Sequence, residues 1–223
     1  MGRGAYREAH PLPYVLIHWT HLLCMLVLGF TGFFIHYPFL RLRMGVLREL
    51  HFIAMYLVLI ALAARVWCAF AGRSVVHKGS RQRERDYRNF MPQAENRGQL
   101  LQTVRYYLFL RRTHPPSGKY NPLQKTAYVA MGVLLLVQAY IGFALYGPAR
   151  SGPFGPFFAL GTTLAGGLMA VRMAHYLVMW AFILMTLVHV YLGVAEDVAQ
   201  IPLMLLWVER PASEPDEELR RAG

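Results

Sequence analysis

The chain has 223 residues, of which 56% are hydrophobic and 16% are charged, and its formal net charge is +11. Because soluble domains carry about a quarter charged residues, this composition excludes a soluble globular domain and a disordered chain. Several apolar runs approach the length of about 20 residues that crosses a bilayer core, and the basic residues lie between these runs. We therefore interpret the positive charge as a topology signal and expect no nucleic-acid partner.

In chain order, hydropathy predicts four transmembrane helices, which cover residues 14–35, 48–70, 124–146 and 169–195. Two shorter apolar segments, at residues 100–110 and 198–208, cannot cross a bilayer and are predicted to lie at its interface. Glycine and proline are frequent in residues 147–167, so irregular backbone is expected there. The predicted fold is all-α: one integral membrane domain over residues 1–223, a four-helix transmembrane bundle with short interfacial helices.

The positive charges are divided unequally between the two sides of the predicted spans. Residues 72–125 carry twelve Lys and Arg residues, whereas the loops after the first and third spans carry five together. Lys and Arg accumulate in cytoplasmic loops. The long loop 72–123 and both termini are therefore predicted to be cytoplasmic.

Five histidines fall within the predicted spans, where ionisable side chains are costly and usually functional: His18, His21, His51, His175 and His189. His175 and His189 are 14 residues apart on one helix, so both rings point to nearly the same face, about 21 Å apart along the axis. Because the first helix runs outward, His18 lies level with His189 near the inner end. The second helix runs inward, so His51 lies level with His175 near the outer end.

Two histidine pairs at matched depths are typical of two b-type haems, each held by two axial imidazoles. The chain has no CxxCH motif, which excludes covalent haem attachment. Interhelical hydrogen bonding is the alternative for a single histidine, but four at paired depths favour haem. His21 shares a face with His18, and the spacing alone leaves either of them as the inner ligand.

Three arginines within the spans are candidate partners for haem propionates. Arg65 lies near the inner end of the second span, while Arg48 and Arg172 lie at the outer ends of the second and fourth. A carboxylate partner would stabilise each charge. Snorkelling to lipid phosphate is the alternative for Arg48 and Arg172.

A set of short motifs carries a resemblance to a known family through its order and spacing over about residues 10–207. In chain order the motifs are HW, FTGFFI, LRELHF, ARVWCAFAG, RYYLFL, KYNPLQK, IGFALYG and HVYLGVAED. With them the chain resembles the b-type cytochrome subunit of membrane-bound nickel–iron hydrogenases, within the wider family that includes the formate dehydrogenase gamma subunit. The resemblance implies a dihaem four-helix cytochrome with His18, His51, His175 and His189 as axial ligands, and so favours His18 over His21.

The resemblance also implies a quinone site beside the inner haem, at the motif Tyr120-Asn121-Pro122. An asparagine amide can donate a hydrogen bond to a quinone carbonyl. The alternative for Asn121 is a turn or helix cap before the proline. Gln124 and Lys125 are neighbouring candidates for the same site.

The function that the resemblance implies is electron transfer. Partner subunits, a small iron–sulfur subunit and through it a large nickel–iron subunit, would oxidise hydrogen outside a bacterial or archaeal inner membrane. Electrons would pass through two haems b to menaquinone or ubiquinone. This chain has no cysteine cluster for nickel or iron, so no hydrogenase active site is expected in it. The alternatives are a gamma-type cytochrome b subunit of a formate dehydrogenase or thiosulfate-type reductase, and a stand-alone cytochrome b561-type quinone oxidoreductase.

Overall fold

A computed structural model describes residues 7–8, 12–75, 83–91, 98–113, 115, 120–197, 204–206 and 210–211. Its α-helices are α1 (Leu12–His36), α2 (Met44–Ala71), α3 (Leu100–Tyr107), α4 (Pro122–Leu145), α5 (Gly147–Ser151), α6 (Gly155–Leu164) and α7 (Leu168–Asp197). Two antiparallel strand pairs are β1 (Arg7–Glu8) with β4 (Arg210–Pro211), and β2 (Arg73–Val75) with β3 (Arg83–Arg85). A 3-10 helix, Asp86–Asn89, follows β3.

The helices α1, α2, α4 and α7 are each long and apolar enough to cross a membrane. They confirm the four predicted spans, with ends that differ by a few residues. Large apolar side chains on them are exposed, for example Leu26 at 62%, Ile60 at 65% and Leu184 at 63%. In water such a surface would drive aggregation, whereas lipid solvates it. The protein is therefore an all-α, multi-pass membrane protein.

The expectation of irregular backbone in residues 147–167 is wrong, because α5 and α6 occupy most of this segment. Pro148 and Pro156 each lie in the first turn of these helices, where a proline has no hydrogen bond to lose and its fixed φ suits the helix. The glycines at 166 and 167, with φ of 81° and 125°, end the segment in left-handed backbone. Proline here begins helices instead of breaking them.

The predicted segment at 100–110 forms the helix α3, whereas most of the segment at 198–208 lies outside the described residues. The interfacial position of both stays a prediction. The described residues contain four candidate spans, and an even number of crossings agrees with the prediction that both termini lie on the same side of the membrane. The pairing of β1 with β4 agrees with this arrangement. The cytoplasmic assignment of that side stays a prediction.

The chain forms two compact units. The first contains residues 1–20, 60–128 and 197–223, and its buried side chains include polar ones such as Asp86 and Thr103. The second contains residues 21–59 and 129–196, and its core is mainly apolar, with Phe34, Val58, Ala144 and Val171 all nearly inaccessible. That the whole chain is a single membrane domain stays a prediction.

Candidate haem site

The second unit brings two histidine rings close together. His51 on α2 and His175 on α7 are both partly buried, with ring centroids 6.4 Å apart and ring planes at 62°. An imidazole nitrogen binds a metal at about 2 Å and lies about 1 Å from the centre of its own ring. Two imidazoles that bind one metal from opposite sides therefore have ring centroids about 6 Å apart. The spacing of His51 and His175 fits a single iron between them, although their role as ligands stays a prediction.

A hydrogen bond to Thr31 orients the ring of His51. The hydroxyl of Thr31, a side chain that is only 1% exposed, lies 2.8 Å from Nδ1 of His51. Thr31 directs its one hydroxyl hydrogen to the carbonyl oxygen of Val27, at 2.7 Å. Nδ1–H of His51 is therefore assigned as the donor, which leaves the lone pair of Nε2 available for a metal. This is the arrangement that orients a metal-binding imidazole.

The backbone carbonyl group of His175 accepts a hydrogen bond from a neighbouring helix. Nε2 of Gln138, on α4, donates to the carbonyl oxygen of His175 at 3.0 Å. The ring nitrogen Nδ1 is buried near the Gln138 backbone and makes no hydrogen bond of good geometry with any described residue. A Cβ at Gly142 would lie 3.2 Å from Cε1 of this ring, and a Cβ at Gly32 would lie 3.7 Å from Cε1 of His51. Each imidazole thus lies close to a glycine of a neighbouring helix.

The second predicted histidine pair is not brought together within either unit. His18 lies on α1 in the first unit, and His189 lies on α7 in the second. Both side chains are partly buried, as is His21. The pairing of His18 with His189, and the choice of His18 over His21, stay predictions.

Arg65 has a carboxylate partner within the first unit. Its Nη2 lies 2.9 Å from Oδ2 of Asp86, a residue that is 1% exposed. The guanidinium also lies over the rings of Tyr14 and Phe90, at 4.9 and 5.4 Å from their centroids. Nη1 is buried and has no hydrogen-bond partner among the described residues. The propionate role predicted for Arg65 stays untested, but its charge is already compensated by Asp86.

A short chain of hydrogen bonds holds Asp86 in place. Ser74 on β2 donates to Oδ1 of Asp86 at 2.7 Å, and Nδ2 of Asn89 donates to the hydroxyl of Ser74 at 2.7 Å. The backbone N–H of Asp86 donates to the carbonyl oxygen of Gly72 at 3.1 Å. These contacts pin the hairpin β2–β3 and the following 3-10 helix to the end of α2 through Arg65.

The two arginines predicted to lie near the outer haem differ from Arg65. Arg48 on α2 and Arg172 on α7 are exposed. Neither makes a hydrogen bond or an ion pair with another described residue. Exposure at a helix end suits snorkelling to lipid phosphate as well as it suits a propionate, so the assignment to the outer haem stays a prediction.

Asn121 forms the N-cap of α4. Its Oδ1 accepts a hydrogen bond from the backbone N–H of Gln124 at 2.8 Å, and Oε1 of Gln124 accepts one from the backbone N–H of Asn121 at 3.1 Å. This reciprocal pair is a capping box. Nδ2 of Asn121 donates to the hydroxyl of Tyr107 at 2.9 Å, and Asn121 is 2% exposed. Its role as a helix cap is confirmed, while the quinone contact remains untested.

The other two quinone candidates lie in the same buried region of the first unit. The ring of Tyr120 stacks on Phe90 at 5.4 Å between centroids. Burial raises the pKa of Tyr120 above its usual range, the carboxylate of Asp86 raises it further, and Arg65 opposes both. Nζ of Lys125, on a residue that is 8% exposed, donates to the carbonyl oxygen of Met91 at 3.3 Å.

Sequence reasoning missed four side chains that hold these candidates: Thr31, Asp86, Tyr107 and Gln138. A signal existed for Thr31. It lies five residues before the end of α1, and His51 lies seven residues after the start of α2, so a short connection puts both at similar depth. Depth matching of all polar residues, rather than of histidines alone, would have found it. No comparable local signal marks Asp86 or Tyr107.

Apolar spans and a pair of neighbouring imidazoles are typical of one class of protein, the multi-pass membrane cytochromes that bind haem b and transfer electrons. The chain belongs to the prokaryotic cytochrome b561 family, whose family model matches residues 9–206.

Curated relatives of similar length support the family assignment. An Azotobacter vinelandii protein is 33% identical over 200 residues, with 83% of this chain and 79% of the relative covered. A Rhizobium leguminosarum protein is 30% identical over 197 residues, covering 83% and 80%. Both are named "Probable Ni/Fe-hydrogenase B-type cytochrome subunit". An Escherichia coli K12 protein, named "Probable Ni/Fe-hydrogenase 1 B-type cytochrome subunit", is 29% identical over 203 residues, covering 83% and 81%.

Proposed function

We propose that this chain is the dihaem b-type cytochrome subunit that passes electrons from a periplasm-facing nickel–iron hydrogenase to membrane quinone. The observation that carries the proposal is the approach of His51 to His175, with ring centroids 6.4 Å apart on helices that can span a membrane. The names of the relatives point to hydrogenase as the electron donor.

The residues of this chain would do three things at the outer site. His51 and His175 would hold the iron of one haem between them, and a haem held in this way would serve electron transfer. Thr31 would hold the ring of His51 and its tautomer. Gly32 and Gly142 would leave room for the two rings. Haem iron, when bound, supplies the one-electron redox chemistry.

A second haem completes the proposal. Its ligands would be His18 and His189, as helix direction and family resemblance imply. His189 lies 14 residues beyond His175 on α7, a rise of about 21 Å. Two sites at that separation would divide the crossing of the membrane into two shorter electron transfers.

The electron acceptor in the proposal is a quinone at the first turn of α4. Tyr120, Asn121, Gln124 and Lys125 would form this site. Asn121 already uses its oxygen for the cap and one amide hydrogen for Tyr107. An asparagine amide can donate to a carbonyl oxygen, and the proposed quinone contact would be made by this group at the start of α4.

The partners in this proposal are the small iron–sulfur subunit and, through it, the large nickel–iron subunit. A second candidate function is a stand-alone quinone oxidoreductase, which the cytochrome b561 description of the family favours. A gamma-type subunit of a formate dehydrogenase or thiosulfate-type reductase is the third possibility.

Purification of the tagged chain from its native membrane in mild detergent tests the proposal. Mass spectrometry should identify both hydrogenase subunits, and hydrogen should reduce the haem spectrum of the complex while formate does not. A chain that purifies alone and reduces quinone from a membrane donor would favour the stand-alone candidate. Co-purification of a molybdenum subunit together with reduction by formate would favour the third.

A further inference from the structure

A surface groove of about 340 Å³ lies where α2 ends and the hairpin β2–β3 begins, within the first unit. It is lined by Trp67, Phe70, Ala71, Arg73 and Arg85. Three of these residues belong to the last turns of a candidate membrane span, and the two arginines lie just beyond it. The groove therefore combines an apolar half from the membrane side with a cationic half from the water side.

The apolar half is built from exposed aromatic rings. Trp67 is 73% exposed and Phe70 is 59% exposed. The ring of Phe70 is held by stacking on Tyr87, at 5.5 Å between centroids. Tryptophan is enriched at the membrane–water boundary, where its ring contacts both acyl chain and headgroup. An exposed Trp in the last turns of a span thus puts the groove at headgroup depth.

The cationic half is a like-charge pair. Arg73 and Arg85 lie directly opposite each other in the β2–β3 ladder. Like charges at opposite positions of two strands are destabilising. Neither guanidinium forms an ion pair or a hydrogen bond with another side chain in the described part of the chain, and the nearby Glu84 lies 3.8 Å from Arg88 instead. An anion bound between Arg73 and Arg85 would relieve their repulsion.

We propose that this groove binds an anionic phospholipid, with the headgroup phosphate between Arg73 and Arg85 and the glycerol and first acyl carbons against Trp67 and Phe70. Guanidinium groups pair well with phosphate oxygens. A free phosphate ion would use the arginines but would gain nothing from the two aromatic rings. The occupant is therefore a lipid, and the inference does not depend on the proposed hydrogenase partner.

Native mass spectrometry of the full haem-loaded protein in detergent, titrated with phosphatidylglycerol, tests this inference. The wild type should bind one phosphatidylglycerol molecule before any others. Each arginine that is replaced should raise the dissociation constant of this first lipid about fivefold. Arg73→Gln with Arg85→Gln should thus lose about 25-fold, while Arg73→Lys with Arg85→Lys should retain most of the affinity. Arg112→Gln, an exposed arginine of the same unit outside the groove, is the matched control and should bind as the wild type.

Four outcomes would overturn the inference. The double glutamine variant could bind phosphatidylglycerol as tightly as the wild type, or Arg112→Gln could weaken binding equally, which would indicate general surface charge. Phosphatidylcholine could bind as well as phosphatidylglycerol. Inorganic phosphate could displace the lipid at equal concentration, which would indicate a soluble anion as the occupant. Haem content and circular dichroism of each variant establish that it is folded.

Discussion

At the scale of single residues, the contact between Thr31 and His51 has the most direct chemical consequence. An imidazole that donates its Nδ1–H to a fixed acceptor becomes a more basic ligand through Nε2. A more basic ligand stabilises the oxidised metal. The corresponding nitrogen of His175 lacks a well-formed hydrogen bond among the described residues, so the two imidazoles would donate unequally to one iron.

Thr31→Val removes the acceptor while keeping the shape of the side chain. We expect both haems to be retained and the reduction potential of the outer haem to rise, because the ferric state loses support from His51. A spectroscopic redox titration measures this. The control is Thr20→Val on the same helix, where the hydroxyl bonds only to the carbonyl oxygen of Leu16. Equal potentials in Thr31→Val and in the wild type would contradict the positioning role.

His51→Ala and His175→Ala should each remove one of two haems, because each variant loses one of the two iron ligands proposed for that site. The pyridine haemochrome assay should give two haems per wild-type chain and one per variant. His189→Ala should also lose one, from the other site. If His18 is the ligand of the inner haem, His21→Ala should keep both haems. Loss of a haem in His21→Ala would show that His21 is the ligand instead.

At the scale of elements, a buried ion pair fastens the hairpin β2–β3 to α2. Asp86→Asn preserves the shape of the side chain but leaves the Arg65 charge unpaired. Removing one partner of a buried pair costs about 3–5 kcal/mol. The lower end applies here, because 27% of the Arg65 side chain is exposed. Thermal unfolding in detergent should show the loss.

The matched control for the ion pair is Glu84→Gln. Glu84 lies 3.8 Å from Arg88, and both side chains are well exposed. Surface pairs contribute about 0–1 kcal/mol, so this variant should unfold close to the wild type. If Asp86→Asn proves as mild as Glu84→Gln, the Arg65–Asp86 pair does not hold the hairpin.

The cap of α4 gives a prediction that separates structure from quinone binding. Asn121→Ala should cost about 1 kcal/mol of stability through loss of the cap, whereas Asn121→Asp keeps the capping oxygen. Both variants lack the amide donor, so both should slow haem reoxidation by added quinone about three- to tenfold, with haem spectra unchanged. Normal haem reoxidation in both variants would show that Asn121 acts as a helix cap and does not contact the quinone.

At the scale of the whole molecule, the four candidate spans of the described residues predict an even number of crossings, and the loop charges predict their direction. Reporter fusions at Gly98 and Gly152 should report opposite sides, with Gly98 in the cytoplasm, because the twelve basic residues of 72–125 stay inside. A periplasmic signal at Gly98 would reverse the inner and outer positions of the two proposed haems. It would also reverse the proposed direction of electron flow.

The membrane class, the four spans and the family all follow from the order of the amino acids. The reason is that hydrocarbon leaves no partner for backbone N–H and C=O groups, so an apolar run of about 20 residues must become a helix. Helix geometry then gives the depth of every residue, which is why the spacing along the chain was enough to match His51 with His175. The prediction of irregular backbone for residues 147–167 was wrong, because a proline breaks a helix in its interior but is accommodated in its first turn.

Which polar groups meet depends instead on how the helices pack. Thr31 bonds to His51 from 20 residues away, Asp86 pairs with Arg65 from 21, and Tyr107 accepts from Asn121 across 14. Depth follows from counting residues, but a contact also requires each helix to be rotated so that both side chains face each other. Rotation is set by packing against all neighbouring elements together, and no local pattern in the sequence records it.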